Sequence, residues 1–547
     1  MQGKTLQIEH LGIVAQVMKD IKLIDRIDSL IPMPNADVTL GQRVGAMILN
    51  CLGFVNRTLY LTPQFFEKRP VEKLLGENVS AEKLNDDCLG RALDKIHEFG
   101  ETRFFSGVSL GIANDLDLIG PNFQLDSTSF SLHGNYGSQE QDSKEDSSNL
   151  VTITHGFSKD HRPDLKQIMM ALVTTGPSDF PLIMLPQSGN ASDKSEFQKI
   201  VQQQVKDLQS QFQLPDMVWA ADSALYNQKW LETQKSLNIH WVTRVPETIS
   251  EAKELIVEAS KIKEDEWIKG KEGCRFLDRV SQYGGVEQRF IVVFSAQAQK
   301  RELETFTRNL DKQRAELARK IKKLSSDYFA CATDAKKALE KLMDKETYFE
   351  ACQVEVVEVE KHTSPGRPKK EAQKSSLGFQ ISCNIADNLT SIQAKQSSKG
   401  VFILATNHME NAAESILMAY KGLQGTERGF RFLKDSQFMM DQFYLETSSR
   451  ISALLTIMTL SLMVYTLAQW KLRQACQAKG ETLPNQVGKS IANITAKLCF
   501  TYFSGISIVR VMNESGKILQ EFMENLSDLQ RKILRLLGPP YESMYAV

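Results

Sequence analysis

The sequence predicts an α/β protein: a mixed sheet flanked by helices, split by a large insertion and preceded by a helical domain. Three observations carry this expectation. Apolar residues recur at helical spacing up to about residue 118, after which strand-like runs rich in β-branched and aromatic residues take over. From about residue 246 that alternation gives way for some 150 residues to a charged stretch of a different character. A buried-strand pattern, GVFILATN, then resumes at residue 400.

Taken in order, residues 1–118 read as helical, with HLGIVAQVMKDIKLIDRI and VTLGQRVGAMILNCLGF separated by Pro32 and Pro34. Asn85, Asp86 and Asp87 can cap the next helix, CLGRALDKIHEFG. DNA-end binding and plain helical packing both suit this segment, since no recognition helix is marked. In residues 119–245, NFQLDSTSFSLHG, LVTITHGF and LKQIMMALVTT read as three strands, the first two joined by a polar tip, SQEQDSKEDSS. A helix DKSEFQKIVQQQVKDLQSQF, capped by Ser192 or Asp193, a strand MVWAADS, a helix YNQKWLETQKSL and a strand IHWVTRV follow. Three strands, helix, strand, helix, strand is the order of a ribonuclease H-like core.

Residues 246–398 read as the insertion domain. It holds a strand RFIVVFSA, a helical stretch over 297–344, a short strand VEVVEVE and a basic linker TSPGRPKKEAQKSS. Within 300–323 nine Lys and Arg face four Asp and Glu, so positive charge is concentrated here. Residues 399–475 complete the core. The run ISALLTIMTLSLMVYTLA at 451–468 is 18 residues long, five of them Ser or Thr, and reads as a buried core helix rather than a membrane span. Residues 476–547 form a C-terminal tail with a helix DLQRKILRLLG, open to roles in dimerisation or DNA contact.

Composition narrows the function classes. Lys plus Arg total 66 against 67 for Asp plus Glu, so any nucleic-acid surface must be local. Eight scattered cysteines without a Cys-x-x-Cys pair argue against a zinc site or disulfide scaffold and point to a reducing cytosol, and the first residues do not read as a signal peptide.

The candidate chemistry lies in three acids. Asp126 interrupts the strand FQLDSTSF, where an ionised carboxylate is costly unless paired or metal-bound, and Asp222 ends MVWAAD, at the strand end where open sheets place their sites. Either aspartate also suits a purely structural role, ending a strand or starting a turn. The third, Glu427, lies in YKGLQGTERGFRFLK. There Tyr420, Glu427 and Lys434 stand seven apart, on one face of a helix, with Arg428 and Arg431 flanking the carboxylate. The same spacing also describes an ordinary amphipathic helix with Glu427 paired to Arg431, and Gly422, Gly425 and Gly429 each weigh against helix by about 1 kcal/mol. In HGFSKDHRPDLKQ, Lys159, His161, Arg162 and Lys166 are candidate DNA-backbone contacts, and Asp160 and Pro163 equally suggest a turn. The six-residue separation of His155 and His161 fits no zinc site.

LDSTS, THGFSKDHRPDLKQ, GNASD, WAADSALYN and YKGLQGTERGFRFLK, in that order, resemble bacterial insertion-sequence transposases of the DDE class. They are most similar to the branch with a Tyr–Arg–Glu–Lys signature. The resemblance runs from about residue 5 to the closing LLGPPYESMY. It implies cut-and-paste transposition at terminal inverted repeats on a ribonuclease H-like core, with two Mg²⁺ (or Mn²⁺) held by Asp126, Asp222 and Glu427. It also implies phosphate contacts from Tyr420 and Lys434, double-stranded DNA as partner and a homodimer pairing two ends. The signature arginine falls at Leu423, a departure, and the insert of that branch is β-rich where 297–344 reads helical. A ribonuclease H-like nuclease without strand transfer, and a DNA-binding protein that has lost catalysis, are the other readings.

Overall fold

The computed structural model describes residues 2–53, 59–134, 136, 151–191, 217–223, 226–234, 239–362, 374–435, 445, 447–514, 518–523 and 526–546. The polar tip at 138–148, the helix expected over 193–212 with its cap, and most of the basic linker lie outside them.

The chain divides into two compact units, Met1–Thr243 with Gly284–Val286 and Ser415–Val547, and Arg244–Tyr283 with Glu287–Glu414. In the first unit the front end is helical as expected, and Asn85 accepts a hydrogen bond from Cys88 N to cap Asp86–Phe99. One element departs from that reading. Strand β1 (Gln2–Gln7) pairs antiparallel with Ser507–Met512, which pairs in turn with Ile518–Met523, so the C-terminal segment completes the front of the chain. Local spacing could not reveal a strand whose partner lies some 500 residues away.

The sheet of this unit contains β2 (Asn122–Leu132), β3 (Lys166–Thr175), β4 (Phe180–Gln187), β5 (Val218–Ala221) and β6 (His240–Arg244). Their order is β4-β3-β2-β5-β6, with β2, β3 and β4 antiparallel and β5 and β6 parallel to β2. That is the ribonuclease H-like arrangement. Its membership corrects one expectation. The described part of LVTITHGF, residues 151–157, is not a strand; it makes a single bridge, Thr154 to Gln167, and the third antiparallel strand is FPLIMLPQ. Pro181 and Pro186 hid β4 from pattern reading, yet prolines are tolerated at a sheet edge, and among the described residues β4 pairs with β3 alone.

Behind the sheet runs the 32-residue helix Ser448–Lys479, the one described helix long and apolar enough to cross a membrane. Its apolar stretch is 89% buried, against β4 and the helices Leu40–Cys51 and Asp86–Phe99 among others. Thr459 and Ser461 donate to Leu455 O and Ile457 O one turn back, which removes the cost of burying their hydroxyls. The C-terminal helix Pro539–Met544 closes the unit onto the first helix, Leu11–Asp20. Tyr541 Oη donates to Asp20 at 2.8 Å, Tyr545 Oη donates to Glu9 O, and the Tyr545 ring occupies the space above Gly12.

The second unit holds β7 (Ile268–Lys269), β8 (Cys274–Ser281), β9 (Gln288–Ser295) and β12 (Val401–Thr406), which is GVFILATN and pairs antiparallel with β9 over six residues. This compact unit runs to Glu414. The charged stretch forms two helices, Ala296–Leu324 and Ala332–Met343, packed on a ribbon of β10 (Phe349–His362) and β11 (Lys374–Asp387). Leu317, Ile321 and Phe349 make one small core, and Ala335, Leu339 and Ile381 another.

A Cβ on Gly12 would stand 2.8 Å from the Tyr545 ring. Gly12→Ala is expected to cost about 1–3 kcal/mol through overpacking, read as a lower denaturation midpoint of the full chain. An unchanged midpoint would show that the C-terminal helix does not clasp the first one.

Candidate active site

The site is built on β2. Successive side chains of a strand point to opposite faces, so Gln124, Asp126, Thr128 and Phe130 share one. In the parallel register Leu125 stands opposite Ala221, which puts Asp222, the next residue along, beside Asp126 on the neighbouring strand. Neighbouring strands lie about 4.8 Å apart. Thr243 donates to Asp222 O at 3.0 Å, fixing the backbone where β5 ends.

Glu427 comes from the helix Leu423–Leu433, which packs on β2 and β3. The expected single helix over 420–434 is two: Tyr420 lies half-buried on Ala413–Lys421, and Gly422, in helical φ/ψ, joins the pieces. Two registers fix the second helix on the strand. A Cβ on Gly422 would be 2.5 Å from Gln124 Nε2, and at the other end Lys434 Nζ lies 5.7 Å from the centre of the Phe130 ring. Six strand residues cover about 20 Å and twelve helical residues about 18 Å, so the turn carrying Glu427 lies level with Asp126. Between the two registers, Thr426 Oγ1 and Thr174 Oγ1 of β3 share a buried hydrogen bond of 2.7 Å.

The glycines that weigh against a helix are what let it approach. A Cβ on Gly425 would stand 2.0 Å from Asp179 Oδ1, in the turn between β3 and β4, and the same Asp179 accepts from Arg428 Nη2 at 2.8 Å. A side chain at Gly425 would expel the carboxylate that anchors Arg428. Leu423, where a cation was expected, is buried and belongs to the packed face. Glu427 is exposed, and among the described residues it forms no ion pair with Arg431 or any other cation, so the plain amphipathic pairing does not form. Arg431 is exposed.

HGFSKDHRPDLKQ lies beside β2 as two turns, His161 N donating to Ser158 O and Leu165 N to Arg162 O, with Pro163 at the second position of the latter. His161 is exposed with a left-handed φ of 57°, and Arg162 is tied to Asp164 at 2.7 Å. Lys159 does more than present a charge to solvent: its ammonium donates to Ser127 O at 2.8 Å and to Ser127 Oγ at 3.2 Å. Lys434 pairs with Asp160 at 2.8 Å. Asp179, Thr174 and Gln124 had no sequence signal, because their roles come from contacts across the fold.

Electrostatics join the acids. Burial pushes the Asp126 carboxyl up to about 6; Lys159 opposes this, and the charges of Asp222 and Glu427 add to it. Asp126 and Asp222 each turn one oxygen back to accept from the following N–H, at 2.7 and 2.5 Å. As they stand, no three His, Cys, Asp or Glu side chains among the described residues converge to hold a metal. The donor chemistry nevertheless fits Mg²⁺ or Mn²⁺: three carboxylates, hard oxygen donors, of which Asp126 and Asp222 can swing off a local N–H.

Acids at one level of a ribonuclease H-like sheet make a candidate phosphodiester-cleaving site. Residues 123–464 match the family described as "Transposase DDE domain", and residues 3–110 match "Domain of unknown function (DUF4277)". The chain belongs to the DDE transposase domain family. Members of this family generally use divalent metals. No curated protein matches the chain. Among solved structures, the cryo-EM structure of piggyBac transposase synaptic complex with hairpin DNA is similar at 9% identity and a TM-score of 0.39, over 92% of this chain and 82% of that one.

The raised pKa of Asp126 makes a stability prediction. The protein gains relative stability below the unfolded pKa of about 3.9 and loses it as pH rises through about 6. In chelator, Asp126→Asn is therefore expected to be more stable than wild type above pH 6, by on the order of 2–3 kcal/mol. The difference should vanish near pH 4, as followed by denaturant midpoints across pH; a variant less stable at pH 7.5 would contradict the burial argument.

Proposed function

We propose that the protein is a cut-and-paste DNA transposase that cuts at the terminal inverted repeats of its own element and joins the freed 3′-hydroxyls to target DNA, pairing two ends as a homodimer. The observation that carries the reading is the common level of Asp126, Asp222 and Glu427, where burial raises the Asp126 carboxyl and the charges of the other two add to that rise. Family membership supports it.

Asp126, Asp222 and Glu427 would hold two Mg²⁺ or Mn²⁺ ions, which when bound activate the attacking oxygen and stabilise the leaving one. Lys159 offsets part of the negative charge at Asp126 and holds the strand beside it. Lys434 and Arg428 would exchange Asp160 and Asp179 for backbone phosphates, and Tyr420, Arg431, His161 and Arg162 supply further donors to the DNA. In the first step water attacks a phosphodiester in line and a 3′-hydroxyl leaves; in the second that hydroxyl attacks target DNA, one phosphodiester replacing another. Neither step needs a covalent protein–DNA bond.

The test uses duplexes carrying the element ends in Mg²⁺. Wild type is expected to nick them and to yield joined target products, whereas Asp126→Asn, Asp222→Asn and Glu427→Gln lose about 100-fold or more. Full cleavage by any of the three variants would sink the triad, and cleavage without joined products would favour a nuclease without strand transfer. Lys434→Ala and Arg428→Ala should each lower the salt dependence of end binding by about one in log–log slope. An unchanged slope would remove that residue from the phosphate contacts.

A further inference from the structure

The helix Ala296–Leu324 of the second unit runs for 29 residues, and its two long faces differ in kind. One is apolar and held. Leu317 and Ile321 are buried with Phe349, Leu310 packs on that cluster, and Phe306 meets Tyr348 edge-on at 5.4 Å. Arg314 pairs with Asp387 at 2.6 Å and so ties the helix to β11. The opposite face is cationic. At about 100° per residue, Arg301, Arg308, Lys312, Arg319 and Lys323 fall within roughly 40° of one line along the helix. Between residues 301 and 323 that sector otherwise holds only Thr305 and Ala315. All five cations are exposed, and none enters an ion pair among the described residues. Two of the helix's four acids are engaged elsewhere, Glu316 with Lys320 at 2.9 Å and Glu302 with Lys399 at 3.8 Å. A helix face that is merely solvated alternates the sign of its charges. Here Arg308–Lys312 and Arg319–Lys323 are like-charge pairs four residues apart, each costing the helix about 0.2–0.5 kcal/mol. A bound polyanion would turn that repulsion into attraction.

We propose that this stripe holds the target duplex by its phosphates, without reading its sequence. From Arg301 to Lys323 the helix rises about 33 Å, close to the roughly 34 Å of one turn of B-form DNA. Arginine and lysine that neutralise phosphates release counterions and act on any sequence. Element ends must be told apart from other DNA, whereas a target need only be held, and so the target is the duplex assigned to the stripe. The assignment to target DNA rests on the strand-transfer reading above; binding to duplex of unrelated sequence does not.

The experiment titrates the full chain with a duplex of unrelated sequence about three turns long, at several salt concentrations. It compares wild type with the triple variant Arg308→Gln, Lys312→Gln, Arg319→Gln. A second triple variant, Lys336→Gln, Lys337→Gln, Lys341→Gln, removes the same charge from exposed positions on the helix Ala332–Met343. The first variant is expected to bind about 100-fold more weakly near 0.1 M salt, with a log–log slope lower by about three. The second should change the slope by less than about one, and all three proteins should share one thermal midpoint. No binding by wild type, an unchanged slope in the first variant, or an equal loss in the second would overturn the stripe. With element ends and a target plasmid in Mg²⁺, joining by the first variant is expected to fall at least about 10-fold further than nicking. An equal fall in both would assign the stripe to the ends and overturn the target role. Failure of wild type to nick or join would sink the transposase reading, while the titration would still report on the stripe.

Discussion

The candidate site depends on how closely the Glu427 helix can lie on β2 and β3. A carboxylate some 300 residues along the chain from Asp126 must arrive at the same level of the sheet, and a helix carrying ordinary side chains on its inner face would ride too high. Gly422 and Gly425 remove the obstructing atoms, and the buried pairing of Thr426 with Thr174 fixes the depth and register. Positional errors of about 1 Å matter greatly in sites that work by orienting reactants. The glycines sacrifice intrinsic helix stability, and packing on β2 and β3 offsets it.

Charge in the free protein is arranged in local pairs around the acids. Arg428 rests on Asp179 and Lys434 on Asp160, while Lys159 rests on backbone and hydroxyl oxygens beside Asp126. The two ion pairs are partly exposed, and pairs of that kind contribute little, typically about 0–1 kcal/mol. Replacing their carboxylates by phosphate oxygens is correspondingly cheap. This arrangement is compatible with the proposed DNA contacts on a nearly neutral chain, since the cations are local and already held in position.

Most of the sheet of the first unit was legible in the sequence because β2, β3, β5 and β6 are apolar runs bounded by turn residues, and because Asp126 and Asp222 stand out within or at the end of such runs. What was missed follows physical lines. Pro181 and Pro186 masked β4, whose one-sided pairing makes prolines harmless, and the β-branched LVTITHGF mimicked a strand although only Thr154 finds a ladder partner. At 420–434 spacing did not reveal the break at Gly422, nor the reason that Leu423 is apolar, which is that it is buried. The partners Asp179, Thr174 and Gln124 carry no local signature at all. A turn aspartate, a strand threonine and a strand glutamine become positioning groups only once the helix descends on them.

The pairing of β1 with Ser507–Met512, and the seating of Tyr545 against Gly12, set an order of events during synthesis. The first strand emerges from the ribosome long before its partner exists, and the first helix waits equally long for its aromatic cover. Closing a loop of that length is entropically unfavourable and slow. The opening segment must therefore remain incomplete until the C-terminal segment has been made. Translation that stops short of it would leave an unpaired strand edge and an uncovered apolar helix, surfaces that invite aggregation and proteolysis.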